Sequence, residues 1–493
     1  MKETIFEPAI WHNSLQNLQK AIGYVEHNEG EELLEDVLVG LLTFKDGLSL
    51  VLDIPYGTIV HKKYIELENG GRAYAGEYED IDNVFGYSRN GKWYVLKDIY
   101  VRNWTESHPG FSAQTIEGNS LIVSNKPVSY NPLVDCIKLD LDGFTKWFRN
   151  FNITRKYEMN KDEDGNYTGC KKISHEYEPP KSFILYQNDD MKISVEQSGI
   201  EAGGPVINPE ASLSVASNMV ISYTKPIELE NAIQTIVHQL RELISILSGV
   251  FCSIETVEGY SINKKINIQF YAPFIRREHK VNNDEVMHMP FPFPKIEGEI
   301  AEIIDKWLNL DLDAVNAATI IVSRLDGSIM PCDLGFISCA SAFEALSRVG
   351  VAQEHFEQKK FDAYMSKISD FIEDGDFKEW LMRQIHNRRS AGSLARALLK
   401  RLRPFSSYLL PDKEKFLNDH RICRNAYVHR SALESSAVLK DEKLYIHTKA
   451  VWFLCYVAIL DLIGIKPEES LEALKESSYQ NGVISQIRKQ YAK

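Results

Sequence analysis

The chain has 493 residues, 44% hydrophobic and 25% charged, and its 56 basic against 69 acidic side chains leave a formal net charge of −13. That length predicts two or more domains, and the composition is ordinary for globular protein. The acidic balance excludes a protein that coats nucleic acid indiscriminately, although residues 297–493 are nearly balanced, with 28 acids and 27 bases.

Met1 to Pro8 carries two acids and no apolar core, so no secretion signal is read there. From about residue 35 to 225 the pattern is strand-like. Leu41–Phe44 and Leu48–Ile54 flank Lys45-Asp46-Gly47, Trp93–Tyr100 follows Arg89-Asn90-Gly91-Lys92, and Leu121–Val123 follows Glu117-Gly118-Asn119. Asp-Gly and Asn-Gly between short apolar runs predict hairpins, because these residues accept the positive φ of tight turns. Asp162-Glu163-Asp164-Gly165-Asn166 is read as another turn rather than a calcium loop, since the closing glutamate is missing. The aromatics Trp93, Tyr94, Tyr100, Trp104, Phe144, Trp147 and Phe148 are assigned to a sandwich core.

Glu228–Leu247 reads as one long helix, with apolar residues every three or four positions and Gly249 just past its end. Strand-like segments resume at Cys252–Val257 and Ile266–Tyr271. Three alternating prolines at 290, 292 and 294 then interrupt any regular element. The fold expectation is therefore α+β: a β-rich, sandwich-like N-terminal domain with one long helix (residues 1–295), then an all-α domain (296–493). Helices are predicted at Glu297–Leu308, Asp313–Arg324, Leu334–Val349, Gln353–Glu373, Phe377–Asn387, Ser393–Leu402, Lys413–His429, Thr448–Ile463 and Ser470–Glu476. The apolar run Ala450–Leu460 is too short to span a bilayer and reads as a buried helix, so no membrane partner is expected. The seven scattered cysteines form no CxxC pair and suggest reduced thiols in a cytoplasmic protein. No phosphate-binding glycine loop, zinc-protease motif or nucleophile elbow is present.

One short motif carries chemistry. Arg424-Asn425-Ala426-Tyr427-Val428-His429 places a cation, an amide and an imidazole within one helical segment. An arginine with a histidine a few residues on also occurs at Arg102–His108 and Arg348–His355, but the first lies among strands and the second crosses a helix end at Gly350. In the Lys413–His429 helix, Phe416, Cys423 and Tyr427 form the apolar stripe, and Arg421, Arg424, Asn425 and His429 fall on the opposite arc. Spacing alone leaves an ordinary solvated face as an equal reading.

Arg424-Asn425 followed by His429, with the helix Phe336–Leu346 carrying Glu344, resembles the HEPN superfamily, whose signature is an arginine, a polar residue and a histidine on a late helix of a small bundle. A β-rich region ahead of such a bundle resembles ApeA-type anti-phage proteins. The resemblance implies a metal-independent endoribonuclease that needs no cofactor, acts in abortive infection, and builds its site across a homodimer or higher homo-oligomer. It further implies RNA as substrate, tRNA among the candidates, and a phage-derived trigger at the N-terminal domain. His429 would be the general acid or base, Arg424 would hold the scissile phosphate, and Asn425 would orient one of them; Glu344 would join the site or pair an arginine. The alternative is a non-catalytic RNA- or protein-binding module with a degenerate HEPN dimerisation domain.

A second feature stands apart from any resemblance. Residues 381–411 contain no acid and seven basic residues. Of these, Arg388, Arg389, Arg396, Lys400, Arg401 and Arg403, together with Arg421, are candidate RNA contacts. The competing reading is a solvated basic face whose arginines pair with acids elsewhere. His386 is assigned to that surface.

Overall fold

Turn residues fix the strands of the amino-terminal half. Between Asn83–Ser88 and Trp93–Lys97 the chain reverses at Gly91, whose φ is 78°, and Ser88 N donates to Lys92 O at 2.9 Å. The Asp162 turn behaves alike: Gly165 has φ 82°, and the Asp162 carboxylate accepts from Asp164 N and Asn166 N at 3.1 and 2.8 Å. It closes a two-stranded ribbon, Ile153–Lys161 with Tyr167–Tyr177, which is exposed nearly throughout.

The computed structural model describes residues 4–24, 37–45, 49–67, 72–107, 111–150, 153–178, 182–202, 212–273, 288–326, 331–352, 354–429 and 435–492. The chain forms two units, Met1–Arg241 with Cys252–Val281, and Glu242–Phe251 with Asn282–Lys493.

In the first unit, fifteen described strands join one antiparallel sheet, running from the edge strand Phe183–Gln187 to the edge strand Tyr100–Ser107. The predicted hairpin at residue 46 appears as Leu38–Lys45 paired with Ser49–Ile54. Tyr94 and Leu96 lie several strands from Leu52 and Ile116 along the sheet, yet all share one buried cluster with Trp11 and Leu42. The sheet therefore curls over its own core, so the expected sandwich is continuous rather than split into two. Trp93, Tyr94, Phe144, Trp147 and Phe148 are buried as expected, whereas Tyr100 is exposed and Trp104 is only half-buried, stacked on Tyr78. Both lie on the edge strand, where one side of the ladder has no neighbour among the described residues.

The long helix appears as Leu229–Ala232, a π-helical turn at Ile233–Val237, and His238–Ser248, ending at Gly249 with φ 70°. Glycine takes that left-handed position without a Cβ penalty, and Gly249 N donates to Ser245 O at 2.9 Å.

The second unit is helical. At its centre is Asp441–Leu462, buried from Ala450 to Leu460. This helix is long and apolar enough to cross a membrane, but 78% of its most apolar window is buried within the protein. Trp452 Nε1 donates to Ile321 O at 3.2 Å and Tyr456 Oη to Ile246 O at 2.6 Å, so these two buried polar atoms are satisfied, whereas His447 Nε2 on the same helix has no hydrogen-bond partner among the described residues. Cys332–Arg348 packs along it, and Lys413–His429 packs on Cys332–Arg348. Gln358–Phe371 and Gly375–Gln384 bury no residue, and Phe371, Phe377 and Trp380 are exposed. Among the described residues, three helices absent from the sequence reading complete the unit: Phe405–Leu409, Ser478–Gln490 and the short Phe293–Ile296, which takes in Pro294 of the proline run at its first turn, where a proline's missing N–H leaves no bond unmade. All seven cysteines are unpaired.

Candidate active site

Two helices build the site. Lys413–His429 starts at Asp412, whose side chain accepts from Lys415 N at 2.9 Å and satisfies one of the amides left open at a helix start. Its buried side is Phe416, Leu417, His420, Cys423 and Ala426, set against Phe336, Ala340 and Phe343 of Cys332–Arg348. Tyr427 Oη donates to Leu439 O at 2.8 Å, and Leu439 N donates to Cys423 Sγ at 3.4 Å, which fastens the following segment to the helix. That packing fixes the rotation of the helix and leaves Arg424 and Asn425 half-buried and Arg421 exposed.

Glu344 reaches across from the facing helix. Its carboxylate engages Arg424 along one edge, Nε to Oε1 at 2.5 Å and Nη2 to Oε2 at 3.2 Å. Two parallel contacts fix the plane of the guanidinium as well as its position. Arg348, one turn further along, places Nη2 3.9 Å from the same carboxylate. Glu344 thus meets two arginines, and one of them is the arginine of the motif.

A cleft of about 300 Å³ opens beside this pair, with Arg421, Arg424, Asn425, Arg396, Glu344 and His420 among its lining. A second cleft, of about 680 Å³, is lined by Arg348, His386, Arg388, Arg389 and Phe361, among others. Glu344, Ser347 and Ala391 border both. His429 is the last residue of its helix, and its side chain lies outside the described residues.

His420 was not among the sequence candidates. It sits one turn before Arg424, 8% exposed, against Phe343 and Phe416, and its Nδ1 has no hydrogen-bond partner among the described residues. Burial, helped by the Arg424 charge, lowers its pKa from 6.5 to about 4, so it is neutral at pH 7. The signal was present: 416, 420, 423 and 427 continue the 4-3-4 spacing of the apolar stripe.

The basic segment does not form one surface. Arg388 and Arg389 line the larger cleft, and Arg396 borders the smaller one, where both edges of Glu414 hold it at 3.2 and 2.7 Å. Arg401 is turned inward: Nε lies 3.1 Å from Asp461 Oδ2 and Nη1 donates to Val349 O at 3.0 Å, so its charge is used in holding helices together. Lys400 and Arg403 are exposed but line neither cleft. His386, assigned to the surface, is exposed and also borders the larger cleft. Of the other two arginine–histidine strings, Arg102 lies in a strand 3.4 Å from Glu117, with His108 outside the described residues, and His355 donates its backbone N–H to Asn387 O at 3.2 Å.

Comparison with family models matches residues 20–307 to ApeA N-terminal domain 1 and residues 337–469 to the Apea-like HEPN domain. The second match contains Glu344, Arg424, Asn425 and His429. No curated protein matches the chain.

Proposed function

The chain belongs to the ApeA family and is a defence protein of the HEPN type, and on that premise we propose that its helical unit is an endoribonuclease needing neither metal nor cofactor. RNA enters the Arg424 cleft, tRNA being one candidate. The 2′-oxygen attacks the adjacent phosphorus and the bond from phosphorus to the 5′-oxygen breaks. The 2′-hydroxyl proton passes to a base, and a proton is delivered to the departing 5′-oxygen. The products carry a 2′,3′-cyclic phosphate and a free 5′-hydroxyl.

Each residue has a role its chemistry suits. Arg424 holds the phosphate and stabilises charge developing on its oxygens, which a planar fork does better than lysine. Glu344 orients that guanidinium and is a positioning residue. His429 exchanges the proton at the 2′- or 5′-oxygen, because imidazole titrates near working pH. Asn425 orients the phosphate or the imidazole. The sheet-rich unit is assigned the sensing of a phage-derived trigger, and a homodimer brings two motifs together.

The observation that carries this reading is the two-point contact between Glu344 and Arg424 at the mouth of a cleft, within the matched HEPN segment. The test is cleavage of total RNA in the presence of chelator by wild type, Arg424→Ala and His429→Ala. Wild type should cleave and leave cyclic-phosphate ends, and each variant should lose about 10²–10³-fold. Equal cleavage by all three removes the site assignment. RNA binding without cleavage favours the non-catalytic module, and activity that chelator abolishes assigns a metal-dependent nuclease instead.

A further inference from the structure

The larger cleft is built, not incidental. Its far wall is the segment 385–389, stapled to residues 354–358 by Asn387. The Asn387 amide accepts from Phe356 N at 3.0 Å and donates to Phe356 O at 2.9 Å, while Asn387 O accepts from His355 N at 3.2 Å. Asn387 is 9% exposed, and Arg388 pairs its backbone with Glu354. The loop therefore has little freedom to turn Arg388 and Arg389 away. At about 680 Å³ the cleft is the size of a small-molecule site.

Its position matters more than its size. Glu344 stands on the boundary, with Arg424 in the smaller cleft and Arg348 bordering the larger. One carboxylate therefore meets two cations that face successive compartments. On the larger side the cationic groups are Arg348, Arg388 and Arg389, and Phe361 offers the lining a half-buried aromatic ring. Several cations and an aromatic ring lining one cleft suit the phosphates and a base of one nucleic-acid strand.

We infer that the larger cleft is a strand-binding subsite, taking the nucleotide next to the phosphate held by Arg424, with Arg388 and Arg389 on its phosphate and its base against Phe361. This rests on the ribonuclease reading for the strand, but its test does not require cleavage.

The full chain is titrated, at several salt concentrations, with a short fluorescent oligonucleotide whose riboses are 2′-O-methylated and so offer no nucleophile. Arg388→Ala/Arg389→Ala should bind roughly tenfold more weakly and reduce the salt slope by about 0.7, the share of one single-strand phosphate. Lys367→Ala, an exposed charge change on Gln358–Phe371 outside both clefts, should alter neither. Phe361→Leu should weaken binding without changing the slope. Unchanged affinity and slope in the double arginine variant overturn the subsite, as does a wild type that binds no oligonucleotide. AMP that binds more tightly than the oligonucleotide, and is lost in the double variant, assigns the cleft to a free nucleotide and equally overturns it. Cleavage and its loss in Arg424→Ala are scored separately, so a failed subsite beside an active nuclease is distinguishable from a failed nuclease reading.

Discussion

Arg424 enters any reaction already engaged. Two contacts to Glu344 hold its guanidinium plane, and a reacting phosphate gains from a cation that does not need to reorganise. Glu344→Gln keeps the shape and removes the charge. It is expected to lower the cleavage rate by up to about a hundredfold, since small misplacements cost that much. The fold should hardly respond: both side chains are partly exposed, such pairs contribute about 1 kcal/mol or less, and melting should move by about 2–4 °C at most. Arg424→Lys should not restore the rate, because an ammonium cannot offer two parallel contacts. A Glu344→Gln protein that melts lower yet cleaves like wild type makes the pair structural only. At this scale the motif was legible, because Arg424, Asn425 and His429 are close in sequence and the helix can be drawn from its stripe. Glu344 was legible as an acid that pairs an arginine, but not which arginine, because the partner lies 80 positions away. His420 was hidden by its residue type, and Arg401 by the appearance of a basic run, since only the fold brings Asp461 to it.

Among the elements, Lys413–His429 and Asp441–Leu462 share a buried patch that has a cost at low pH. His420 and His447 lie 5.6 Å apart, ring centre to ring centre, among Phe336, Phe416 and Tyr491. His447 Nδ1 bonds Tyr491 Oη at 2.5 Å. Burial lowers the pKa of His447 well below 6.5, with a further push from His420, and lowers that of His420 to about 4. The sign follows from protons bound: between these values and 6.5 the unfolded chain holds protons that the folded one refuses. Stability is therefore full above pH 6.5 and falls as pH drops toward 4, by on the order of 3 kcal/mol for His420 alone. Urea melts across that range should show the slope, and His420→Leu should flatten it. His238, lowered to about 4 by its own burial, adds a separate acid limb, so the difference between wild type and variant is the measurement. A slope unchanged in the variant removes the explanation. The helices were legible here wherever apolar spacing was strong. Ser478–Gln490 was not, because its buried residues, Ile484 and Ile487, make sense only against a neighbouring helix.

For the whole molecule, the order of a strand-rich part followed by a helical part was legible from the change of period along the chain, while the two units divide at Val281 rather than at the prolines. The transfer of Glu242–Phe251 to the helical unit was not legible, since one helix continues through the division and no local signal marks residue 242. The same scale raises a chemical requirement. The proposed cleavage would move two protons, one off the 2′-oxygen and one onto the 5′-oxygen, and one motif would supply one histidine. Within the same cleft His420 is a poor acid at pH 7, because its pKa lies near 4. On that proposal, a second copy of the chain would meet the need by bringing a second His429. Light scattering should then give twice the chain mass or a multiple of it. On dilution through the dissociation range the cleavage rate should fall with the square of protein concentration, not in proportion to it. Chains carrying Arg424→Ala, mixed in excess into wild type, should depress activity below simple dilution, because most wild-type chains would pair with a defective partner. A strictly proportional rate down to the lowest measurable concentration, with no depression on mixing, makes the site complete in one chain and sends the search for the second proton carrier back into the clefts, to His386.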